Sequence, residues 1–320
     1  MLVTSKAEKG SNYYIAGDWG TTHLRLALVQ KDDGICIMEK RGPGIGQIRP
    51  SEIPHVFGAL VHDWIANHAV TDAVLCGMAG SNIGWLDAGY VPCPAHIDEI
   101  RNRFARTRYE NVSVSIVPGL KCVNLAGAPD VMRGEETQLL GALQRKPVLG
   151  QGQHLICMPG THTKWTLFAD GVAETFLTSV SGELFAALAE HSVLVKAGTP
   201  SVQVDWAFEL GLERALALPD ADLQHLIFET RSRQIADGID NGEARSFLSG
   251  VLIGRDVMSA WRLFEKEIGS PMITIIGNRS LGHLYRMACG KLQVQCETLD
   301  GHQLSLAGIH CLAEREIVHG

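Results

Sequence analysis

The segment AGDWGTTHLR, residues 16–25, decides the fold that the sequence predicts. It joins two β-prone runs, YYIAGDW (13–19) and LRLALVQ (24–30), through the short link GTTH. A third run, ICIMEK (35–40), follows after KDDG. A parallel crossover needs a dozen or more residues, so such short links make the strands antiparallel neighbours. The chain therefore opens with a predicted three-strand meander.

The same arrangement recurs in the second half of the chain. LICMPG (155–160) and KWTLFADG (164–171) are joined by THT, again beside glycine and threonine. Helical periodicity and buried apolar runs fill the rest, and together they predict a mixed α/β fold of two similar halves that meet near Lys146-Pro147. The remaining predicted helices are 51–68, 182–195, 202–217, 241–264, 280–289 and 302–317, and the remaining strands are 73–77, 272–277 and 292–297.

Composition and charge exclude several classes of protein. The 320 residues include 46% hydrophobic and 20% charged residues, with a formal net charge of −7. This balance argues against nucleic-acid and anionic-membrane partners, which need a basic face. No apolar run reaches the roughly 18 residues of a membrane helix, and residues 1–14 do not resemble a signal peptide. Eight scattered cysteines without a C-x-x-C pair indicate reduced thiols. We therefore expect a cytoplasmic protein without a zinc site.

The first Gly/Thr link carries groups suited to phosphate. Gly20 begins a tight turn, and turn amides with the hydroxyls of Thr21 and Thr22 can bind anionic oxygens. Asp18 ends the preceding strand, where its carboxylate suits a hydrated Mg²⁺. On this loop alone, an ordinary hairpin turn is an equally good interpretation.

The second link repeats the design. MPGTHTKW (158–165) supplies Gly160, Thr161 and Thr163, and Lys164 adds positive charge. One such hairpin is weak evidence, but two, each near the start of its own half, favour a phosphate site.

Two carboxylates occupy the predicted start of a helix in MRGEETQLLGAL (132–143). Acidic residues are common there for electrostatic reasons alone. The functional alternative is a general base that takes a proton from a substrate hydroxyl. Helical spacing puts Glu136 on the side of the leucines and Glu135 on the more polar side, so we favour Glu135 and keep Glu136 open.

Two further segments suggest ligand contacts. GMAGSNIGW (77–85) offers Ser81 and Asn82 as hydrogen-bonding groups for a polyhydroxy substrate, with Trp85 as an apolar wall. IIGNRSLGHLY (275–285) reads as strand, glycine, helix, and Gly277 would let a nucleotide approach the backbone. An ordinary strand-to-loop exit is the alternative for the first of these.

Several common motifs are absent or broken. GPGIGQ (42–47) is an incomplete dinucleotide fingerprint that runs into Pro50 rather than a helix. The sequence has no G-x-x-x-x-G-K-[ST] and no G-x-S-x-G, which excludes a P-loop enzyme and the usual serine hydrolase.

With both hairpins identified, the chain resembles the sugar kinase/Hsp70/actin superfamily. The resemblance rests on three segments: the motif D-x-G-[ST]-[ST] at Asp18–Thr22, the second Gly/Thr loop at Gly160–Thr163, and the adenosine-side glycine at Gly277. More narrowly, DWGTTHLR, MAGSNIGW, VMRGEETQLLGA, MPGTHTKW, SGEL and FLSGVLIG resemble the 2-dehydro-3-deoxygalactonokinase family over residues 13–313.

That resemblance implies two ribonuclease-H-like, actin/hexokinase-type domains with mixed sheets flanked by helices and an active-site cleft between them. They would span 1–146, with the C-terminal helix 303–320 added, and 147–302. In that helix, Ala307 and Gly308 would pack closely on Gly141.

The resemblance also implies a reaction and its ligands. It is the ATP-dependent phosphorylation of 2-dehydro-3-deoxy-D-galactonate at the 6-hydroxyl, with Mg²⁺ as cofactor. Arg25 and Arg133 are the candidates for the substrate carboxylate, and Arg25 could instead pair with Asp18. Three alternative functions remain open: a kinase for another sugar or sugar acid, an ATPase switch, and a phosphohydrolase of the same superfamily. A homodimer is also possible.

Overall fold

The computed structural model describes residues 11–268 and 272–318, which divide into two compact units. The first takes in the described residues up to Lys121, then Val131–Pro147 and those from His302 onward; the second takes in Cys122–Asp130 and Val148–Gly301. The predicted boundary near Lys146-Pro147 places residues 122–130 in the N-terminal domain. They group with the second unit because the Asp130 carboxylate accepts hydrogen bonds from the amide and hydroxyl of Thr178.

The strands begin and end close to the predicted β-prone runs in both meanders. They are β1 Tyr13–Trp19, β2 His23–Gln30, β3 Cys36–Pro43, β4 Asp72–Gly77, β5 Tyr90–Pro92, β6 Ala105–Tyr109, β7 Val112–Ile116, β8 Gly119–Val123, β9 Pro129–Met132, β10 Gln153–Met158, β11 Thr163–Ala169, β12 Val172–Ser179, β13 Met272–Gly277 and β14 Gln295–Asp300.

The two large sheets share one strand order over five strands, and the first sheet has β6 as a sixth. The first is β3-β2-β1-β4-β7-β6 and the second is β12-β11-β10-β13-β14. In each, a hairpin-linked antiparallel meander is followed by a parallel strand beside its first strand, β4 beside β1 and β13 beside β10. This confirms the predicted fold class of two similar mixed α/β halves. A third, smaller sheet has the order β5-β8-β9.

The helices connect and cover these sheets. They are α1 Ile53–His68, α2 Ile97–Arg101, α3 Glu135–Arg145, α4 Ser181–His191, α5 Asp205–Ala217, α6 Leu223–Ala236, α7 Asn241–Phe264, α8 Arg279–Lys291 and α9 Gly301–Val318. None of the described helices is long and apolar enough to cross a membrane.

Each unit has its own apolar core. In the first, Trp19 and Leu26 of the sheet pack with Phe57 and Trp64 of α1. In the second, Trp165 packs with residues of α5, α7 and α8, including Phe208. Large buried side chains of this kind supply most of the free energy that favours folding.

Small residues allow the C-terminal helix to approach α3 within the first unit. A Cβ on Gly308 would lie 1.8 Å from the carbonyl oxygen of Thr137, and one on Gly141 would lie 2.0 Å from that of Leu304. The predicted close contact of Gly308 with Gly141 is confirmed, since their backbones meet where no side chain would fit.

The predicted strand at 292–297 was wrong by three residues. The backbone amide of Leu292 still bonds to carbonyls of α8, and Gln293 adopts a left-handed conformation (φ 58°). The strand therefore begins only at Gln295, and its end at Asp300 lies beside Gly277 of the neighbouring strand.

Candidate active site

The first Gly/Thr loop lies between β1 and β2 with its threonines exposed. Thr21 and Thr22 are open to solvent, and the amide of Gly20 bonds to the carbonyl of His23 (2.9 Å). Gly20 is in the predicted turn, and its φ is not in the left-handed range. The loop therefore presents two hydroxyls on a tight turn.

Asp18, two residues before this loop, is half-buried beside β4. It is in register with Arg25 on one side and with Cys76 on the other. Burial raises the pKa of the Asp18 carboxyl, and the positive charges of Arg25 and His302 oppose that rise. A desolvated carboxylate of this kind is stabilised by a cation.

Two glycines bring the start of α3 against the end of β4. Gly77 (φ 77°) and Gly134 (φ 103°) both adopt conformations that side chains rarely allow. A Cβ on Gly134 would lie 3.4 Å from the Cα of Gly77, and one on Gly77 would lie 3.4 Å from a carboxylate oxygen of Asp18. These glycines place the first turn of α3 beside Asp18.

The two glutamates at the start of α3 occupy different environments. Glu136 is fully buried, and its carboxylate accepts a hydrogen bond from the amide of Gly134 (2.6 Å). Burial, reinforced by the charge of Glu135, raises the pKa of Glu136 to about 8. Glu135 is partly exposed, and its carboxylate accepts a bond from the amide of Arg133 (3.0 Å).

Cys76 lies between the two buried carboxyl groups. Burial raises the pKa of its thiol, and the charges of Asp18 and Glu136 raise it further. The hydroxyl of Thr137 lies 3.6 Å from its sulfur. This thiol is therefore neutral and unreactive, and it fills the space between the two carboxyl groups.

Arg133 is a half-buried guanidinium that faces no carboxylate at ion-pair distance among the described residues. One nitrogen donates to the carbonyl of Gly89 (3.1 Å), and the group stacks over Tyr90 at 4.4 Å. Its Nη1 is buried without a hydrogen-bond partner in the part of the chain that the structure describes. Arg25, the other candidate, is exposed, and its charge opposes the rise in the pKa of the Asp18 carboxyl.

The loop after β4 places the remaining substrate candidates. Ser81 is buried, and its hydroxyl donates to the carbonyl of Met78 (2.8 Å), whereas Asn82 is exposed. Trp85 is partly buried and packs on Phe57 with ring centroids 5.1 Å apart. Trp85 is therefore fixed to the core, with part of its surface left open.

The second Gly/Thr loop is held by the start of α4. A Cβ on Gly182 would lie 2.2 Å from the carbonyl oxygen of Gly160, and the amide of Glu183 donates to the carbonyl of Thr161 (2.9 Å). No described atom lies within 4 Å of the place where a Cβ on Gly160 would stand. Open space thus surrounds Gly160, and the side chain of Thr161 is exposed.

The side chain of Thr163, the third predicted phosphate ligand of this loop, points into the core of the second unit. Its hydroxyl is fully buried and contacts the hydroxyls of Ser181 (3.1 Å) and Tyr285 (2.9 Å). Both of these donate to the buried carboxylate of Asp256, at 2.8 and 2.6 Å. Asp256 also accepts from the indole of Trp165 (2.9 Å). Thr163 is therefore part of a buried network that joins β11, α4, α7 and α8.

Lys164 is also buried, with 4% of its surface exposed. Its ammonium donates to the carbonyl of His162 (3.3 Å), within the same loop. Its charge thus lies at the loop but beneath its surface.

The second unit contains a cavity of about 620 Å³ beside its Gly/Thr loop, large enough for a nucleoside. Polar groups from the loop, α4, α7 and α8 line it, and they include Gly160, Ser181, Ser246, Asn278 and Ser280. Gly277 lines an adjoining cavity of about 730 Å³ that shares Asn278 and Ser280.

Sequence reasoning missed Asp256, Cys76, Tyr90 and Tyr285. Each lies far along the chain from the motif it supports, and no local spacing marks it. Only FLSGVLIGRD (247–256) carried a signal: it is a nearly all-apolar stretch within α7 that ends at Asp256, and a buried acid needs hydrogen-bond donors.

No group of three or more His, Cys, Asp or Glu side chains in residues 11–268 and 272–318 is arranged to hold a metal ion.

Comparisons with known proteins identify the family of the chain. The family model for 2-keto-3-deoxy-galactonokinase matches residues 18–312. A Rhizobium meliloti (strain 1021) protein named as a 2-dehydro-3-deoxygalactonokinase is 33% identical over 306 residues, which cover 95% of this chain and 97% of that protein. The 2-dehydro-3-deoxygalactonokinase of Escherichia coli (strain K12) is 33% identical over 301 residues, 94% and 97% of the two chains.

Solved structures support the same assignment. A Sinorhizobium meliloti crystal structure named for the same activity matches with a TM-score of 0.81 at 34% identity, over 95% of this chain and 97% of that one. Component A of the Acidaminococcus fermentans (R)-2-hydroxyglutaryl-CoA dehydratase matches with a TM-score of 0.51 at 13% identity, over 97% and 100%, which shows the fold alone. The chain therefore belongs to the 2-keto-3-deoxy-galactonokinase family of carbohydrate kinases.

Proposed function

We propose that this kinase transfers the terminal phosphoryl group of ATP to the 6-hydroxyl of 2-dehydro-3-deoxy-D-galactonate, in galactonate catabolism in the cytoplasm. The observation that carries the proposal is the family match over residues 18–312, which includes both Gly/Thr hairpins and the start of α3. The acidic chain and its lack of a described membrane-spanning helix are consistent with small-molecule ligands.

The nucleoside part of ATP would bind in the 620 Å³ cavity of the second unit. Its lining combines apolar side chains, such as Phe185 and Leu252, with polar ones, such as Ser181 and Asn278. This mixture supports the placement, because a nucleoside needs apolar walls with a few donors and acceptors.

In the second unit, the exposed Thr161 is the proposed phosphate ligand, with the Lys164 charge beneath its loop. In the first unit, the exposed Thr21 and Thr22 are the proposed phosphate ligands. Gly277 would border the nucleoside from its adjoining cavity.

Asp18 fits the requirements of Mg²⁺. The ion binds hard oxygen ligands, keeps several waters and takes one or two carboxylates together with substrate phosphates. A single desolvated carboxylate beside the phosphate loop matches that donor set, and a cation would offset the burial that raises its pKa. Bound there, Mg²⁺ would neutralise phosphate charge.

Glu135 is the better candidate for the general base. It is partly exposed, and the bond from the Arg133 amide orients its carboxylate. Glu136 is fully buried, and burial raises its pKa to about 8, which makes it less available than Glu135 to take a proton at neutral pH. In the proposed step Glu135 takes the 6-hydroxyl proton, the oxygen bonds to the terminal phosphorus, and the bond to the leaving ADP oxygen breaks.

Arg133 is the better candidate for the substrate carboxylate. Its guanidinium faces no carboxylate at ion-pair distance among the described residues, and its stacking on Tyr90 fixes its plane. Arginine in a fixed orientation binds carboxylates well. Ser81, Asn82 and Trp85 lie on the neighbouring loop and would contact the sugar hydroxyls and carbon chain.

The decisive experiment is a coupled ATP assay with 2-dehydro-3-deoxy-D-galactonate, its gluconate epimer and a panel of neutral sugars, with the product position determined by ³¹P NMR. We expect transfer to the 6-hydroxyl of the galactonate compound. Glu135→Gln should lower turnover by at least about a hundredfold, the usual scale of general-base catalysis. Transfer to neither acid, or ATP hydrolysis that is indifferent to sugar acids, would refute the proposal.

A further inference from the structure

The segment Gly44–Gln47, part of the broken fingerprint GPGIGQ, lies directly against the first Gly/Thr loop. Each of the three loop carbonyls accepts a backbone hydrogen bond from this segment, and one also accepts a side-chain bond. The bonds run from Ile45 to Gly20 (3.0 Å), from Gly46 to Thr21 (2.9 Å), from Gly44 to Thr22 (3.2 Å) and from Nε2 of Gln47 to Thr22 (3.1 Å).

These bonds fix the direction of the loop amides. In a trans peptide the N–H points opposite to the C=O of the same unit. With the carbonyls of Gly20 and Thr21 turned toward the segment, the amides of Thr21 and Thr22 must point away from it. None of the hydrogen bonds found within residues 11–268 and 272–318 uses either amide. Successive free amides on one side of a turn form an anion-binding nest.

The approach of the two backbones requires glycine at position 44. A Cβ there would lie 2.3 Å from the carbonyl oxygen of Thr21 and 2.4 Å from the carbonyl carbon of Thr22. Gly44 itself has an ordinary extended backbone, so contact rather than conformation demands the glycine. A Cβ on Gly46 would lie 3.1 Å from the carbonyl oxygen of Thr21, which is a less severe contact.

The segment is anchored on both sides of Gly44. The indole of fully buried Trp19 donates to the carbonyl of Pro43 (3.1 Å), and the side chain of Ile45 is buried in the core of the first unit. A rigid support of this kind can hold the loop in one orientation before a ligand arrives, which reduces the entropy lost on binding.

We infer that Gly44–Gln47 is a carbonyl clamp that positions the Thr21 and Thr22 amides to bind ATP phosphates. The inference rests on the proposed function and adds a set of positioning residues to it. These residues touch the loop rather than the nucleotide, so their effect must pass through the two amides. Their removal should therefore weaken binding in proportion to the phosphates that the ligand carries.

The test measures dissociation constants for ATP and AMP, with KM for ATP and for the sugar acid, in three variants. Gly44→Ala should weaken ATP binding by about tenfold or more, because hydrogen bonds to charged oxygens are lost. AMP affinity and the KM of the sugar acid should stay within about twofold of wild type. Gln47→Met keeps the clamp backbone, carries no folding risk at its exposed position, and should weaken ATP binding by about two- to tenfold.

Gly58→Ala is the matched control. A Cβ there would strike the hydroxyl of Tyr109 at 1.8 Å, in the first unit but within α1. It should lower the melting temperature and leave the ratio of ATP to AMP affinity unchanged. Two results would overturn the clamp: an equal loss of affinity for ATP and AMP in Gly44→Ala and Gln47→Met, or an unchanged affinity for ATP in both variants. If the wild-type enzyme still transfers phosphate to the sugar acid, the proposed function stands. Absence of ATP binding by the wild-type enzyme would overturn both.

Discussion

Glu136→Gln should separate the roles of the two adjacent glutamates through the pH dependence of stability. The wild-type carboxyl has a pKa of about 8 when folded, against an ordinary value of 4.5. The folded state therefore binds more protons than the unfolded state between these values. Stability is fully present below pH 4.5 and falls as the pH rises toward 8, by about 1.4 kcal/mol per pH unit where only the folded state is protonated.

From pH 6 to pH 8 this carboxyl should cost the wild type roughly 2 kcal/mol, because the slope flattens near the folded pKa. Glutamine resembles the neutral acid in shape and can accept the same bond from the Gly134 amide, but it does not titrate. The variant should therefore lose about 2 kcal/mol less over this range. Urea denaturation at both pH values, followed by tryptophan fluorescence, measures the difference.

Comparison with a surface variant makes this test specific. Glu110→Gln changes an exposed carboxylate in the same unit and should leave the pH dependence as in the wild type. Glu136→Gln should also retain most of its turnover at pH 6, since the native residue is already protonated there. Identical pH profiles for wild type and Glu136→Gln, or inactivity of the variant with normal stability, would refute the reasoning and move the base to Glu136.

Three further predictions test the site and its support. Asp256→Asn leaves a buried donor without an acceptor, so it should destabilise the protein by about 1–3 kcal/mol and raise the KM of ATP. Thermal melts and steady-state kinetics measure the two effects, and a melting temperature equal to that of the wild type would contradict the prediction. Gly308→Ala should destabilise by about 3 kcal/mol or more through backbone overlap, whereas Gly290→Ala, with open space around it, should be neutral or slightly stabilising in the same melts. Arg133→Met should raise the KM of the sugar acid about 10–100-fold and leave the KM of ATP unchanged, whereas Arg25→Met should raise the KM of ATP. The reverse pattern would exchange the roles of the two arginines.

The fold was predictable because its evidence is local. Short links between β-prone runs dictate antiparallel neighbours, and that argument placed both meanders correctly. The register of β14 was not predictable, because α8 continues further than its periodicity indicates and Gln293 then reverses the backbone. Assignment of residues 122–130 also depended on a long-range contact, the Asp130 carboxylate with Thr178.

The candidate site was predictable in part, for a related reason. Helical spacing correctly placed Glu136 on the buried side of α3, since burial follows from the positions of the neighbouring leucines. The same kind of reasoning did not predict the direction of the Thr163 hydroxyl, because its partners Ser181 and Tyr285 lie on the helices α4 and α8. A motif thus identifies residue types near a ligand, whereas the direction of each side chain depends on contacts that the motif does not contain.

The two Gly/Thr loops show how one design can be supported by different chemistry. The carbonyl clamp Gly44–Gln47 holds the first loop by backbone hydrogen bonds, while the buried Asp256 carboxylate and the start of α4 hold the second. Support by the backbone requires glycines in the sequence where the two backbones meet, whereas support by side chains depends on a single buried acidic residue. Internal symmetry of the fold therefore does not extend to these supports, and substitutions that weaken one loop should leave the other intact.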